Sequence, residues 1–165
     1  MLIGIIGVIL FIGLALAGAL FLGPRFQEST NNSKASAAVQ AVSQVSSAVN
    51  MYQVQEGKSA TNSAISGPTT PTASYTELVT GQYLKAVPSN PAGTGAISIS
   101  DGPTASSKRI TMPLSTNAQA ICEAIHKQTG GTGTTVPTAA NIAAIGNSAT
   151  GCANVAGTYT AYANS

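Results

Sequence analysis

The chain has 165 residues, only 7% of them charged, and a formal net charge of +2. This length suits one ordinary domain with one additional element. So weak a charge excludes an electrostatic case for binding nucleic acid or an anionic surface. Gly, Ser, Thr and Ala dominate the composition. The resulting surface is polar but nearly uncharged, so that identical copies can pack without repulsion.

The first 22 residues, Met1 to Leu22, contain no charge, no hydrogen-bonding side chain and no proline. As a helix they would be about 33 Å long, enough to cross a bilayer core of roughly 30 Å. A helix also satisfies its own backbone hydrogen bonds in lipid. We therefore divide the chain into an apolar rod (residues 1–24), which predicts a transmembrane or filament-core helix, and a head (residues 25–165).

The charges around the rod bear on its orientation. No Lys or Arg precedes the apolar run, and the first charge is Arg25. The simplest interpretation is a single-pass anchor or an uncleaved signal peptide. Arg25 alone favours a head inside the cell, whereas two cysteines and a Thr/Ser-rich head favour a head outside. Removal of a basic leader before Met1 reconciles the two, and predicts Met1 as a processed N-terminus.

Small residues recur along the rod. Glycine costs about 1 kcal/mol in a helix interior relative to alanine, yet the rod contains several glycines. Small side chains let helices approach closely in an apolar environment. A plain anchor does not need this property, so we expect self-packing in a filament core through five positions: Gly4, Ile5, Gly7, Gly13 and Gly18.

A second helical pattern follows the rod directly. Gly23 and Pro24 predict a kink or local unwinding, with a simple helix end as the alternative. The amphipathic pattern resumes over residues 25–56, which we call the spine of the head, and Gly57 is a natural stop. Its apolar residues recur at helical spacing and should pack on a sheet: Ala38, Ala41, Val42, Val45, Ala48, Val49 and Tyr52.

The remaining elements are shorter. Residues 58–74 read as a loop, and residues 75–84 as a short helix with a turn. Strands are predicted over 96–100 and 108–114, with Asp101-Gly102 as a hairpin turn and Pro113 at an edge. A helix over 118–127, a short helix over 139–145 and a final strand over 157–162 complete the chain.

Two cysteines, Cys122 and Cys152, are expected to pair if the head is exported. The bridge would close a loop of about 30 residues, and loop-entropy models value that at about 3–4 kcal/mol. Metal binding is the alternative, because His126 lies one turn from Cys122. However, there is no second cysteine pair and no acidic cluster at ligand spacing. We therefore favour a disulfide and predict no metal site.

Catalytic patterns are missing from the sequence. One histidine and five acids are scattered along it, and Glu123 with His126 has the spacing of an ordinary surface pair. There is no P-loop, no G-x-S-x-G and no dinucleotide-binding fingerprint. We predict that the protein is not an enzyme and binds no cofactor.

Taken together, these features resemble a bacterial type IV pilin. They are the apolar N-terminal helix without a basic leader, the proline after residue 20, the amphipathic continuation and the cysteines near the C-terminus. The segment from Gly81 to Pro91 (GQYLKAVPSNP) is similar to the GYL-K-x-x-P-x-N-P segment of many pilins and pseudopilins. Met1 as the first mature residue resembles the type IVb subclass, including the thin pili of conjugative plasmids.

The resemblance implies an α+β pilin fold: a long kinked N-terminal helix packed on a small antiparallel sheet. It also implies a structural subunit of a surface filament that serves adhesion, aggregation or conjugative mate-pair contact. The subunit would wait in the inner membrane, be processed by a prepilin peptidase, and be polymerised with its own copies by an ATP-driven machine. Methylation of its N-terminus is also expected. No nucleic-acid partner is expected.

One residue departs from the family pattern. Pilins place a glutamate at mature position 5, where this chain has Ile5. The amine of Met1 would therefore need another way to avoid an unpaired buried charge. Two alternatives remain beside a pilus subunit. One is a secretion-system pseudopilin that forms short periplasmic filaments, and the other is a monomeric extracytoplasmic binding domain on a single membrane anchor.

Overall fold

A computed structural model describes residues 2–57, 76–104, 107–132 and 135–165. Its dominant element is helix α1, Leu2–Glu56, which contains both the rod and the spine. The predicted loop 58–74 and Tyr75 lie outside the described residues. Among those described, a long helix packs on a small sheet, which confirms the predicted α+β fold class.

The spine packs through the residues that its periodicity selects. Val42, Val45 and Val49 are at most 1% exposed, and Tyr52 is 3% exposed. The smaller residues Ala38, Ala41 and Ala48 on the same side are buried as well. This stripe faces the sheet and the helix Ala118–Gln128 in one continuous apolar core.

The sheet has five strands in the order β1-β2-β5-β4-β3. The strands β1, β2, β5 and β4 pair antiparallel, as expected. The two-residue strand β3 pairs parallel to β4, so the sheet is mixed at this edge and not purely antiparallel. Its strands are β1 (Ser98–Asp101), β2 (Lys108–Pro113), β3 (Thr138–Ala139), β4 (Thr150–Val155) and β5 (Thr158–Asn164).

Two further helices flank the sheet. Helix α2 (Thr76–Thr80) follows the undescribed segment. Helix α3 (Ala118–Gln128) agrees with its prediction and buries Ile121, Cys122 and Ile125. Its N-cap residue is Asn117, whose side chain makes no capping bond. Instead its amide donates to the Asn31 side chain of α1 across 3.4 Å.

Two parts of the C-terminal region differ from the sequence-based prediction. The helix expected over 139–145 is a single 3₁₀ turn, Ile142–Ala144, because Ala139 already belongs to β3. Strand β4 was not predicted at all. Pro113 is the last residue of β2, and the pairing of β2 with β1 already ends at Thr111. On the β1 side this end of β2 is therefore an edge, as predicted.

The sheet is covered on both faces. The spine and α3 cover one face, where Ile110, Met112 and Ala161 are buried. The segment 140–149 covers the other face and closes a second small core, formed by Ala139, Ile145, Ala153, Val155 and Tyr162. We call this segment the outer cap.

Candidate functional site

The rod is the part of the structure whose surface most needs explanation. Residues 3–17 are all exposed, and Phe11 and Leu14 are each 74% exposed. Within the described chain, α1 is the one helix long and apolar enough to cross a membrane, with a mean hydropathy of 2.8 in its most apolar window. Lipid or other helices could cover such a continuous apolar surface.

The structure divides the predicted filament-core residues between two sides of the rod. At 100° per residue, Gly4, Gly7 and Gly18 lie within about 60° of one another, whereas Gly13 lies on the opposite side. A Cβ added at any of these glycines would meet no described atom within 4 Å. Ile5 is 60% exposed. All of these residues are therefore available to partners outside the chain.

Two predictions at the ends of the rod stay predictions. Met1, the predicted processed N-terminus, lies outside the described residues. Helix α1 continues through Gly23 and Pro24 with the proline inside it, so the described helix shows no unwinding at this point. A kink there stays a prediction.

The head begins directly above the rod. Helix α3 lies against the first turns of the spine, where Pro24, Glu28 and Lys127 line a cleft of about 440 Å³ between the two helices. Higher up, the Ser36 hydroxyl donates to the Gln128 side chain across 3.4 Å. Residues 23–30 are nevertheless exposed, and Ala35 is the first buried residue of the spine. The change from exposed rod to packed spine therefore extends over about ten residues.

A disulfide joins Cys122 of α3 to Cys152 of β4, with a Cα–Cα distance of 5.4 Å. Both cysteines are buried, and neither is a free thiol. The bridge fastens α3, and with it the foot of the spine, to β4, an inner strand of the sheet. It therefore reinforces the side of the head that lies next to the rod.

Arg109 of β2 holds the outer cap, a role that the sequence analysis missed. Its side chain is fully buried. Its Nε donates to the Asn164 side chain at 2.7 Å, and its Nη2 donates to the carbonyls of Ile145 at 3.0 Å and Gly146 at 3.2 Å. A further bond reaches the carbonyl of Ile142.

The positive charge of Arg109 is stabilised by the carbonyl groups that accept its hydrogen bonds and by an aromatic ring. Its guanidinium lies 5.8 Å from the centre of the Tyr162 ring, within cation–π range. Burial lowers the pKa of Arg109 from its usual value, and the Tyr162 phenol acts in the opposite direction. Strand alternation could have placed Arg109 on the face of the sheet that does not carry Ile110. Nothing in the sequence indicated that a loop covers that face.

The segment that carries the family resemblance, Gly81 to Pro91, is fixed by Asn90. Its side-chain amide donates to the carbonyls of Gly95 at 2.8 Å and Pro113 at 2.7 Å, and its oxygen accepts from the Ala92 N–H. At the start of the segment, a Cβ on Gly81 would lie 2.5 Å from the Tyr83 ring. The Asn and the first Gly of the motif thus shape the connection between α2 and the sheet.

Among the described residues, no group of three or more His, Cys, Asp or Glu side chains is arranged to hold a metal ion. The expected lack of a metal, a cofactor and enzymatic activity stays a prediction. No protein-family model matches the chain, and no curated protein matches it.

Proposed function

We propose that this chain is the structural subunit of a type IV pilus filament on the bacterial surface. A single observation carries the proposal. One uninterrupted helix, Leu2–Glu56, leaves the large apolar side chains of its first part exposed and uses its second part as the core of a sheet domain. A filament subunit needs an apolar rod that lipid covers before assembly and that copies of the same rod cover afterwards, joined to a head that is already folded.

The division suggests how assembly proceeds. While the rod lies in the inner membrane, lipid covers its apolar surface. During polymerisation the rods bundle in the filament core, where Gly4, Gly7, Gly13 and Gly18 allow close approach. The heads then form the outer wall, and their nearly uncharged surfaces meet without repulsion. The partners are other copies of this chain, a prepilin peptidase and the assembly machinery.

The filament would act in adhesion, aggregation or mate-pair contact. Each of these functions subjects the heads to mechanical load. The Cys122–Cys152 disulfide and the Arg109 bonds to the outer cap are suited to such load because they fasten loops and helices to the sheet.

Electron microscopy of material sheared from expressing cells, with mass spectrometry of its main band, tests the proposal. We expect thin filaments composed of this chain. Its mass should be two hydrogens below that of the dithiol form, and its N-terminus should be a processed Met1. Finding the chain only as a membrane monomer with an unprocessed initiator would contradict the proposal.

A monomeric, membrane-anchored binding domain is the second candidate. It is favoured by the exposure of every residue from 3 to 17, which an anchor in lipid also explains. The double substitution Gly7→Leu and Gly13→Leu separates the two functions. It should abolish filaments but leave an anchored monomer unaffected, whereas the volume-conserving control Leu10→Ile with Leu16→Ile should leave both intact. A pseudopilin would instead give short filaments that are absent from the sheared surface fraction.

A further inference from the structure

A large share of the charged residues of this chain lies at the foot of the head. The chain has seven Lys and Arg residues and five Asp and Glu residues. Four of them lie on the two segments that border the rod. Arg25 and Glu28 are on the first turns of the spine, and Glu123 and Lys127 are on α3. In a protein whose surface is nearly uncharged, these charges indicate a polar partner at this level.

The cleft between α3 and the first turns of the spine brings three of these charges together. Its wall on α1 extends down to Pro24, the last residue of the rod. Its wall on α3 is the row Ala120, Glu123 and Lys127, whose spacing of three and four residues places them on one face of the helix. The volume of about 440 Å³ is within the range of small-molecule sites, about 300–1,000 Å³. We call this space the foot cleft.

The charges in the foot cleft do not neutralise one another. Within the described chain, neither Glu28 nor Lys127 has an ion-pair partner, although both line the same cleft. Glu123 accepts one hydrogen bond, from the Gln119 side chain to its Oε1 at 2.9 Å. Its Oε2 remains available to a ligand. The cleft therefore presents one ammonium group and two carboxylates to whatever enters it.

The lower part of the foot cleft lies at the depth of lipid head groups when the rod crosses a membrane. The head-group layer extends about 5–7 Å beyond the hydrocarbon core on each side. Helix α1 rises about 1.5 Å per residue, so that Pro24 lies about 3 Å and Glu28 about 9 Å beyond residue 22, the end of the apolar run. The cleft thus begins within the head-group layer and extends just above it.

The charges of the foot cleft match a head group that carries both signs. A phosphate can accept hydrogen bonds from the ammonium of Lys127 and from the amide of Gln27, which also lines the cleft. A primary ammonium can donate to the carboxylates of Glu28 and Glu123. An anionic head group without an ammonium would leave both carboxylates facing a like charge. A quaternary ammonium has no N–H to donate to them.

We infer that the foot cleft binds the head group of a phospholipid that carries a phosphate and a primary ammonium, in the membrane that holds the rod. Lys127 binds the phosphate, and Glu28 and Glu123 bind the ammonium. The inference rests on the proposed function only for the inserted state of the rod, which an anchored monomer shares. The bound head group holds the head against the membrane surface and has to be released when the subunit leaves the membrane.

Native mass spectrometry of the full-length protein tests this inference. The protein is placed in nanodiscs of equal parts phosphatidylethanolamine, phosphatidylcholine and phosphatidylglycerol, and the lipids retained after mild release are identified. We expect about tenfold more retained phosphatidylethanolamine than either other lipid, the effect of about one charge-assisted hydrogen bond. Equal retention of the three lipids would overturn the inference, because lipid held only by the apolar rod has no head-group preference.

The double substitution Glu28→Gln and Lys127→Gln assigns the preference to the cleft. Both side chains are exposed, so that the head should still fold, which circular dichroism checks. We expect the variant to retain the three lipids equally. The matched control Lys85→Gln removes an exposed charge outside the cleft and should keep the wild-type preference. A preference that persists in the double variant would contradict the assignment.

Soluble glycerophosphoethanolamine distinguishes a membrane lipid from a free small molecule. It has the same charged groups as the lipid but no acyl chains. We expect no displacement of the retained lipid even at millimolar concentration, because the membrane keeps the lipid at a high effective concentration beside the cleft. Displacement at micromolar concentration would assign the cleft to a soluble ligand and overturn the inference.

A nitroxide label at Thr116→Cys locates the bound lipid. Thr116 is exposed and precedes Asn117, whose side chain reaches Asn31 in the wall of the cleft. In bicelles, this label should broaden the phosphorus NMR signal of phosphatidylethanolamine more than that of phosphatidylcholine. The control label at Asn147→Cys, an exposed position of the outer cap, should broaden neither. Equal broadening of the two lipids by the label at position 116 would contradict a specific site.

These outcomes are separable from those of the proposed function. Filaments formed by a chain without lipid preference would overturn the foot cleft as a lipid site and leave the pilus proposal intact. A clear preference in a chain that never forms filaments would support the lipid site and contradict the pilus.

Discussion

The rod and the spine are halves of one helix with the same backbone and opposite surroundings. In the rod, Ile9 is 64% exposed, whereas Val45 in the spine is fully buried. The rod is apolar all round, and the spine is apolar along one stripe only. A uniformly apolar helix has no preferred side on which to receive a sheet, while a striped helix has one. The difference shows that the pattern of apolar side chains decides which half of α1 the sheet packs against.

The largest effect should come from a charge placed in each half. Val45→Asp puts a carboxylate into the core, and we expect a loss of about 4 kcal/mol or more in the free energy of unfolding of the head. Ile9→Asp is the matched change in the rod. Because Ile9 is exposed, this change should leave the free energy of unfolding of the head within about 0.5 kcal/mol of the wild-type value. It should disfavour membrane insertion by about 3–4 kcal/mol, the difference between the insertion free energies of Asp and Ile. Denaturant titration of the full chain in detergent, followed by tyrosine near-UV circular dichroism, measures the first quantity.

Equal destabilisation of the head by both substitutions would break the comparison, since the rod would then contribute to head folding. Membrane fractionation in cells measures the insertion defect of Ile9→Asp separately.

Removal of the disulfide should have the next largest effect. The cysteines are 30 residues apart, and Cys122→Ala with Cys152→Ala should lower the free energy of unfolding by about 3–4 kcal/mol. Since the bridge holds α3 against the foot of the spine, hydrogen exchange should rise first in α3. Reduction of the wild-type protein with dithiothreitol is the control and should produce the same pattern. Faster exchange confined to the rod would contradict this assignment.

A smaller effect is expected at the outer cap. Arg109→Met removes the donors to Asn164, Ile145 and Gly146, and should cost about 2–3 kcal/mol. Hydrogen exchange followed by mass spectrometry should show faster exchange over residues 140–149 and unchanged exchange in the spine. Arg109→Lys keeps the charge but lacks the planar fork, so it should restore only part of the protection. Full protection in the Met variant would show that Arg109 does not hold the cap.

The smallest effect is a gain in stability. The β4–β5 turn places Ala156 at φ 48° and Gly157 at φ 90°, as a two-residue type I′ turn requires. Alanine is strained in this region, so Ala156→Asn should stabilise the head by about 0.5–1 kcal/mol. Ala156→Val, which is β-branched, should have the opposite sign. Thermal unfolding monitored by circular dichroism compares the two, and a stabilised Val variant would refute the reasoning.

Several features of the fold followed from the sequence because their signals are local. The spacing of Val42, Val45 and Val49 determined the buried side of the spine. The run around Ile121 and Ile125 gave α3, and alternation gave β1, β2 and much of β5. The uninterrupted apolar run likewise determined the rod, which is the main part of the candidate site.

Other features were decided by tertiary structure. Strand β4 has a short, Gly- and Ala-rich sequence without clear alternation, and it forms because β5 pairs along its whole length. The parallel pairing of β3 depends on where the outer cap leads the chain. The burial of Arg109 requires segments distant in sequence to meet. Local sequence patterns thus determined which apolar residues are buried. Pairing between distant segments decided that the outer cap covers the face of the sheet opposite the spine, because such pairing leaves no local signal in the sequence.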